Sequence, residues 1–143
     1  MLRYYVREVS IRTSRKLEII DITDSVLKTI RSSGIKNGLL NLWTPHTTAA
    51  ITINEHDLDL WDDILKTLER LVPIRANYRH NAKYGWIPSE QNAHAHIISS
   101  IFKPDVTIPV ENGSVKLGSW QSILFIELDG PRNRRIRVTV MGE

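Results

Sequence analysis

The chain has 143 residues, of which 41% are hydrophobic and 24% are charged, and its formal net charge is +3. This length and balance are typical of one globular domain spanning residues 1–143, and they exclude a disordered or fibrous chain. Cysteine is absent, which excludes disulfides, thiolate nucleophiles and sulfur-ligated zinc.

The N-terminal half of the chain predicts four short strands and one helix. Residues 3–11 alternate between apolar and polar side chains with the period of a half-buried strand, and residues 17–22 can form its partner. A helix begins with a cap at Thr23 or Asp24 and ends at Gly34, because glycine tolerates the left-handed conformation that closes a helix. Two further strands cover residues 39–43 and 49–53.

The most regular helical pattern covers residues 57–71. Its apolar side chains recur at steps of three and four and form a core-facing stripe of Trp61, Ile64, Leu65, Leu68 and Leu71. Pro73 ends this helix, since proline cannot continue it. Residues 74–91 are polar, aromatic and irregular, so we expect a long loop that is functional or mobile.

The C-terminal half predicts a helix followed by antiparallel strands. The helix covers residues 92–102, and Asn112-Gly113 is typical of a two-residue hairpin turn, whose central positions need positive φ. The four strands cover residues 106–110, 115–117, 122–128 and 135–140. The whole pattern predicts an α+β fold with a large, mostly antiparallel β-sheet packed by two longer helices and one short helix.

The five histidines are the side chains best suited to proton transfer near neutral pH and to transition-metal binding. His94 and His96 lie about 200° apart on a helix, since each residue turns it by about 100°. The apolar stripe of this helix is centred on His94 and consists of Ile97, Ile98, Ile101 and Phe102. We therefore expect His94 to be packed and His96 to be the functional residue on the polar face.

Two other histidines and one carboxylate are further candidates. His46 lies between two strands beside Thr47 and Thr48, whose hydroxyls can bind an anion or bond to local backbone. His80 lies in the long segment after the central helix, where a lid or a ligand wall can form. Glu55 is either a metal ligand or base, or part of an ordinary helix cap.

The expected partners are small anionic molecules rather than nucleic acids or membranes. Basic residues cluster at Arg132, Arg134, Arg135 and Arg137, as a solvated face or a phosphate-binding surface. Because this cluster lacks interleaved aromatic side chains, we expect no nucleic-acid partner. Apolar runs are far shorter than the roughly 20 residues of a membrane helix, and no apolar secretion segment follows Met1. We expect a cytoplasmic protein.

Several segments, in order along the chain, resemble the YjbQ-like family, described as having a secondary thiamine-phosphate synthase activity. The matching segments are TPHTTAAITINE (44–55), LVP (71–73), YRHN (78–81), NAHAHI (92–97), TIPVENG (107–113), LGSWQ (117–121), ELDGPR (127–132) and GE (142–143). Ser119 stands where the family usually has threonine, and Lys103 where it usually has glycine.

This resemblance implies an α+β fold, assembly as a homotrimer and a histidine-lined site. The histidine-bearing segments of the family fall on His46, His80 and His96, the candidate catalytic residues. Independently of the resemblance, Glu55 is a further catalytic candidate, and the three histidines are candidate metal ligands. The implied substrate-binding residues are Thr47, Thr48, Asn92, Trp120, Gln121 and Arg132. The implied reaction joins a pyrimidine diphosphate to a thiazole phosphate and releases pyrophosphate, which requires stabilised leaving-group charge and two positioned rings.

Three functions remain open at this point. The first is the transferase, acting on a small phosphorylated ligand. The second is a hydrolase in which the three histidines hold a divalent metal, zinc or magnesium, and Glu55 activates a bound water. The third is a trimeric ligand-binding protein without catalysis.

Overall fold

Eight β-strands pair antiparallel and divide between two sheets in the computed structural model, which describes residues 1–143. The strands are β1 (Arg3–Arg12), β2 (Glu18–Asp21), β3 (Gly38–Trp43), β4 (Ala49–Asn54), β5 (Asp105–Glu111), β6 (Ser114–Val115), β7 (Ser122–Glu127) and β8 (Asn133–Gly142). Their order is β1-β8-β3-β5-β6 in the five-stranded sheet and β2-β7-β4 in the three-stranded sheet. The helices are α1 (Thr23–Ser33), α2 (Leu58–Leu71), α3 (Arg79–Tyr84) and α4 (Ala93–Phe102), with a 3₁₀ turn at Pro88–Glu90.

The larger of two cores lies between the sheets. Leu40 and Val138 from the five-stranded sheet and Phe125 from the three-stranded sheet belong to one buried cluster, to which α1 adds Val26. All four side chains are at most 1% exposed. The α+β class with antiparallel pairing is therefore as expected, and the strands form two facing layers.

A second core lies on the other face of the three-stranded sheet. Leu124 and Ile126 of β7 pack there with Trp61 of α2 and Ile98 of α4. Because β7 also contributes to the first core, it is buried on both faces, which explains its uninterrupted apolar run at residues 123–126.

The start of α2 and the end of α1 follow the capping signals in the sequence. The predicted cap of α1 at Thr23 or Asp24 is wrong, since Ile22 is the residue at its N-cap position. The Asp57 carboxylate accepts the N–H groups of Asp59 at 2.9 Å and Leu60 at 3.1 Å at the start of α2. Gly34 ends α1 with a left-handed φ of +68°. No helix here combines the length and the apolar character that crossing a membrane would require.

The predicted pairing of residues 17–22 with the first strand is wrong. β2 pairs with β7, with Ile19 opposite Ile126, whereas β1 pairs only with β8, over ten residue pairs. After Arg12 the chain crosses to the other sheet, and the Thr13 N–H donates to the Arg132 carbonyl at 2.9 Å. This crossing replaces the expected hairpin and buries Ile19 against α2 and α4.

The predicted loop over residues 74–91 is also wrong in part, since it contains α3 and the 3₁₀ turn. The Gln91 side-chain Nε2 donates to the carbonyls of Asn81, Gly85 and Ile87 at 3.1, 3.2 and 3.4 Å. A six-residue polar helix has no long apolar stripe, so its sequence carries little helical signal.

Gly38 and Gly142 lie opposite each other on β3 and β8, with no room for a side chain. A Cβ added at Gly38 would lie 2.7 Å from the Gly142 Cα and would overlap the Met141 carbonyl oxygen. We expect Gly38→Ala to lower the free energy of unfolding by about 3 kcal/mol in a urea titration. Gly118→Ala is the control, because a Cβ there meets only the flexible Gln121 side chain, at 3.3 Å. Equal, small losses in the two variants would contradict this close packing.

Candidate functional site

A cleft of about 410 Å³ opens between the β3–β4 loop and helix α4. Its volume falls in the range of roughly 300–1,000 Å³ found for small-molecule sites. We name it the histidine cleft; it is lined by Trp43, Thr44, Pro45, His46, Thr47, Ala49, His96, Ser99, Ser100 and Pro104. Most of these side chains are polar, which suits a polar or charged ligand.

Helix α4 directs its two histidines to different surroundings. His94 is 0% exposed, and its Nε2 lies 3.0 Å from the Leu128 carbonyl oxygen, whereas His96 lines the cleft. The Ser99 hydroxyl donates to the Thr47 carbonyl at 2.7 Å and ties the helix to the opposite wall. The helical geometry thus separates the two rings as the sequence pattern predicts.

The second cleft histidine, His46, is held by the neighbouring strand β8. Its Nε2 accepts the Arg135 backbone N–H at 3.1 Å, so a neutral ring carries its proton on Nδ1. Burial, together with the charges of Arg134 and Arg135, lowers the pKa of His46 below the ordinary value of 6.5. At neutral pH the ring is therefore an uncharged hydrogen-bond donor through Nδ1.

His80 reaches the site from α3. Its ring centroid lies 5.0 Å from that of His96, with 52° between the ring planes. Burial and the neighbouring His80 lower the pKa of His96 below 6.5. Asn81 links this corner to α4, because its Oδ1 accepts the Ala93 N–H at 3.0 Å.

A buried ion pair supports the wall that carries His46. Glu127 is 0% exposed and Arg134 is 5% exposed, and the Arg134 Nε donates to the Glu127 Oε1 at 2.9 Å. The same guanidinium donates to the Thr48 carbonyl at 3.2 Å and to its hydroxyl oxygen at 2.9 Å. The hydroxyl of Thr13 completes the cluster by donating to Glu127 at 2.7 Å. The chain beside His46 is thus fixed by charge-assisted hydrogen bonds.

A second buried carboxylate, Asp129, forms ion pairs with two cations and accepts a hydrogen bond from one amide. Lys16 Nζ lies 2.6 Å from Oδ1, while Arg132 and the Asn92 side-chain Nδ2 each donate to Oδ2 at 2.9 Å. Burial alone would raise the pKa of Asp129, but the hydrogen bonds from Lys16, Asn92 and Arg132 outweigh it and lower the pKa below 3.8. Asp129 is therefore ionised at neutral pH and holds Asn92, the residue before α4.

Comparisons with known proteins agree with this fold. The model of the "UPF0047 protein YjbQ-like" family matches residues 7–143. A UPF0047 protein of Methanothermobacter thermautotrophicus is 49% identical over 99% of this chain and 95% of its own length. YugU of Bacillus subtilis is 37% identical over 96% of this chain and 99% of its own length. The chain belongs to the YjbQ-like family.

Solved structures of other YjbQ-like proteins match the whole fold. A YbjQ-like protein from Sulfolobus solfataricus is 36% identical, with a TM-score of 0.94 and 100% coverage of both chains. A family member from Clostridium acetobutylicum is 42% identical, with a TM-score of 0.86, and the match covers 94% of this chain and 98% of the other. The resemblance seen in the sequence segments and the α+β class are confirmed.

In this YjbQ-like chain, the predicted histidines come together only in part. His46 and His96 line one cleft, and His80 contacts His96. No group of three or more His, Asp or Glu side chains is placed to hold a metal ion. Glu55 precedes α2 and lies outside the cleft lining; its carbonyl accepts the Trp61 indole N–H at 2.9 Å.

The predicted substrate-binding residues divide between the cleft and its supports. Thr47 lines the cleft, whereas Thr48, Asn92 and Arg132 bind the buried groups behind it. Trp120 is 77% exposed, and neither it nor Gln121 lines the histidine cleft. The aromatic residue that does line it is Trp43, at 41% exposure.

Sequence reasoning missed Glu127 and Asp129 as site-supporting carboxylates and gave Arg134 no partner. Glu127 follows the buried apolar run of β7, and a charge in such a run requires a buried partner. Arg134 occupies an inward position of β8, in alternation with Ile136 and Val138. These two patterns are visible in the sequence, but their pairing depends on the fold.

The histidine pKa shifts predict a pH dependence of stability. The pKa values of His46, His94 and His96 lie below 6.5 in the folded chain. As the pH falls through and below 6.5, the unfolded chain therefore binds more protons than the folded chain. The free energy of unfolding should therefore be lower at pH 5 than at pH 7. Proton NMR titration of the ring signals should give midpoints below 6.5 for His46 and His96. Midpoints at or above 6.5 would contradict the burial of these rings.

Proposed function

We propose that this chain is a transferase of the secondary thiamine-phosphate synthase type. It joins a pyrimidine diphosphate to a thiazole phosphate and releases pyrophosphate. The observation that carries the proposal is the histidine cleft, where two imidazoles with lowered pKa values face a cavity that also exposes hydroxyl groups. Membership in the YjbQ-like family supports it, because the resemblance of the sequence segments implies this activity.

In the proposed reaction the C–O bond to pyrophosphate breaks, and a C–N bond to the thiazole ring forms. Pyrophosphate leaves with the bonding electrons, so the main requirement is stabilisation of its oxygen atoms. His46 donates through Nδ1, Thr47 donates through its hydroxyl, and His96 donates from the opposite wall. Neutral donors fit this role because they bind the departing charge without a deprotonation step.

Ring placement is the second requirement of the reaction. Trp43 lines the histidine cleft and leaves 41% of its surface exposed, so it can stack on one flat ring. The indole of Trp120 lies outside the cleft of a single chain, and we assign the stacking role to Trp43.

We also propose that the chain assembles as a homotrimer, as the family resemblance implies. The five-stranded sheet supports this, because Met141 of β8 lies between Tyr4 of β1 and Leu39 of β3. These side chains are 42%, 67% and 47% exposed, and they form an apolar row across three strands.

The zinc hydrolase and the non-catalytic binding protein would use the same cleft. The hydrolase needs His46, His80 and His96 to converge on one ion, whereas His80 lies beside His96 without a third ligand group. The binding protein differs from the transferase only because it forms no product.

Turnover of the two substrates, followed by pyrophosphate release, tests the proposal. We expect His46→Ala and His96→Ala each to reduce the rate by about 100-fold, the loss typical of one removed oxyanion donor. His56→Ala is the matched control, since His56 is an exposed histidine that pairs with Asp21 outside the cleft. Its rate should stay within about twofold of the unmodified chain, because surface changes away from a site are usually tolerated.

Urea unfolding of each variant separates lost catalysis from lost structure. Ligand binding without product from the unmodified chain would favour the non-catalytic protein. Hydrolysis of the diphosphate that stops on chelation would favour the metal hydrolase. Full activity in both cleft variants would show that the site lies elsewhere.

A further inference from the structure

A second and larger cavity, of about 730 Å³, lies apart from the histidine cleft and shares no lining residue with it. We name it the basic cavity. Its walls are formed by Lys16, Ile74, Arg75, Ala76, Asn77, Asn81, Pro88 and Gln91. The proposed reaction assigns no role to these side chains, although the Asn81 Oδ1 lies 3.2 Å from the His80 Nδ1.

The basic cavity carries positive charge without an acidic counterpart in its lining. Lys16 and Arg75 lie in its wall, and Arg79 lines an adjoining cavity of about 490 Å³. The two cavities share Ala76, Asn77, Asn81 and Gln91. No acidic residue lines either cavity, so an anion entering them meets no repulsive carboxylate at the wall.

The ion pair with Asp129 does not fully neutralise the charge of Lys16. Its Nζ contacts Asp129 at 2.6 Å, but the same carboxylate also binds Arg132 at 2.9 Å. Two cations therefore share one buried negative charge, and the cluster has a net charge of +1. The Lys16 side chain is 45% exposed, so its ammonium can reach both the carboxylate and a ligand.

A buried amide adds a directional donor to this charge. Asn81 is 8% exposed and lines the cavity, and its Oδ1 accepts the Ala93 N–H at 3.0 Å. The amide orientation is fixed by this bond, which leaves the NH₂ group as the donor. Gln91 holds the rim, because its Nε2 bonds three backbone carbonyls of residues 81–87.

We propose that the basic cavity binds the phosphate of a small organic phosphate monoester. Arg75 and Lys16 neutralise the phosphate oxygens, and the Asn81 NH₂ group donates to one of them. Ile74 and Pro88 contact the organic part, which the volume accommodates beyond a bare phosphate ion. Binding there requires no chemistry at the histidine cleft, so it is independent of the transferase reaction.

An NMR titration of the ¹⁵N-labelled full chain with phenyl phosphate and inorganic phosphate tests this site. We expect saturating shifts in the side-chain amide signals of Asn77 and Asn81 and in the Arg75 Nε–H signal. Arg75→Gln should weaken phenyl phosphate binding by about tenfold, which corresponds to about 1.4 kcal/mol. Arg31→Gln is the matched control, since Arg31 is exposed on α1 and lines neither cavity; its affinity should be unchanged.

His96→Ala separates this site from the histidine cleft and should retain phenyl phosphate binding even if it abolishes turnover. Shifts confined to cleft residues such as Thr47 and Ser99 would overturn the proposal. Unchanged affinity in Arg75→Gln would overturn it as well. Equal affinities for the two probes would overturn the assignment to a monoester, because the organic part would then contribute nothing.

Discussion

The buried ion pair between Glu127 and Arg134 is the interaction on which the rest of the site depends. Glu127 ends β7 of the three-stranded sheet, and Arg134 lies in β8 of the five-stranded sheet, so the pair joins the two layers. Both charges are withdrawn from water, which is tolerable only when further hydrogen bonds satisfy them. Thr13 and Thr48 provide those bonds, and the backbone N–H of Leu128 also donates to Glu127 at 3.0 Å.

The two cavities follow from how these buried charges are arranged. Arg134 fixes Thr48, two residues after His46, so the histidine cleft takes its shape from the ion pair. Asp129 performs the same role on the other side, where it binds Asn92 before α4 and Lys16 of the basic cavity. The cleft is thus lined by histidines with lowered pKa values, whereas the basic cavity keeps excess positive charge.

Local patterns predicted most helices and strands, because their signals lie within a few neighbouring residues. The stripe of α2 from Trp61 to Leu68 and the angle between His94 and His96 are of this kind. Leu71, at the end of the predicted stripe, is instead 73% exposed, because it lies in the last turn of the helix. The partner of β2 and the division into two sheets were not predictable, since they depend on contacts about a hundred residues apart. Trp43 was overlooked for the same reason, because only the fold brings it to the cleft with His96.

The most direct test of the central claim compares Arg134→Met with the matched control Arg135→Gln. The Arg135 side chain is exposed on the same strand, and Arg135 hydrogen-bonds His46 through its backbone N–H rather than through its side chain. We predict that Arg134→Met lowers the free energy of unfolding by about 3–5 kcal/mol and shifts the NMR signals of the His46 ring. Arg135→Gln should cost less than about 0.5 kcal/mol. Equally small losses in both variants, with the His46 signals unmoved in Arg134→Met, would contradict the account.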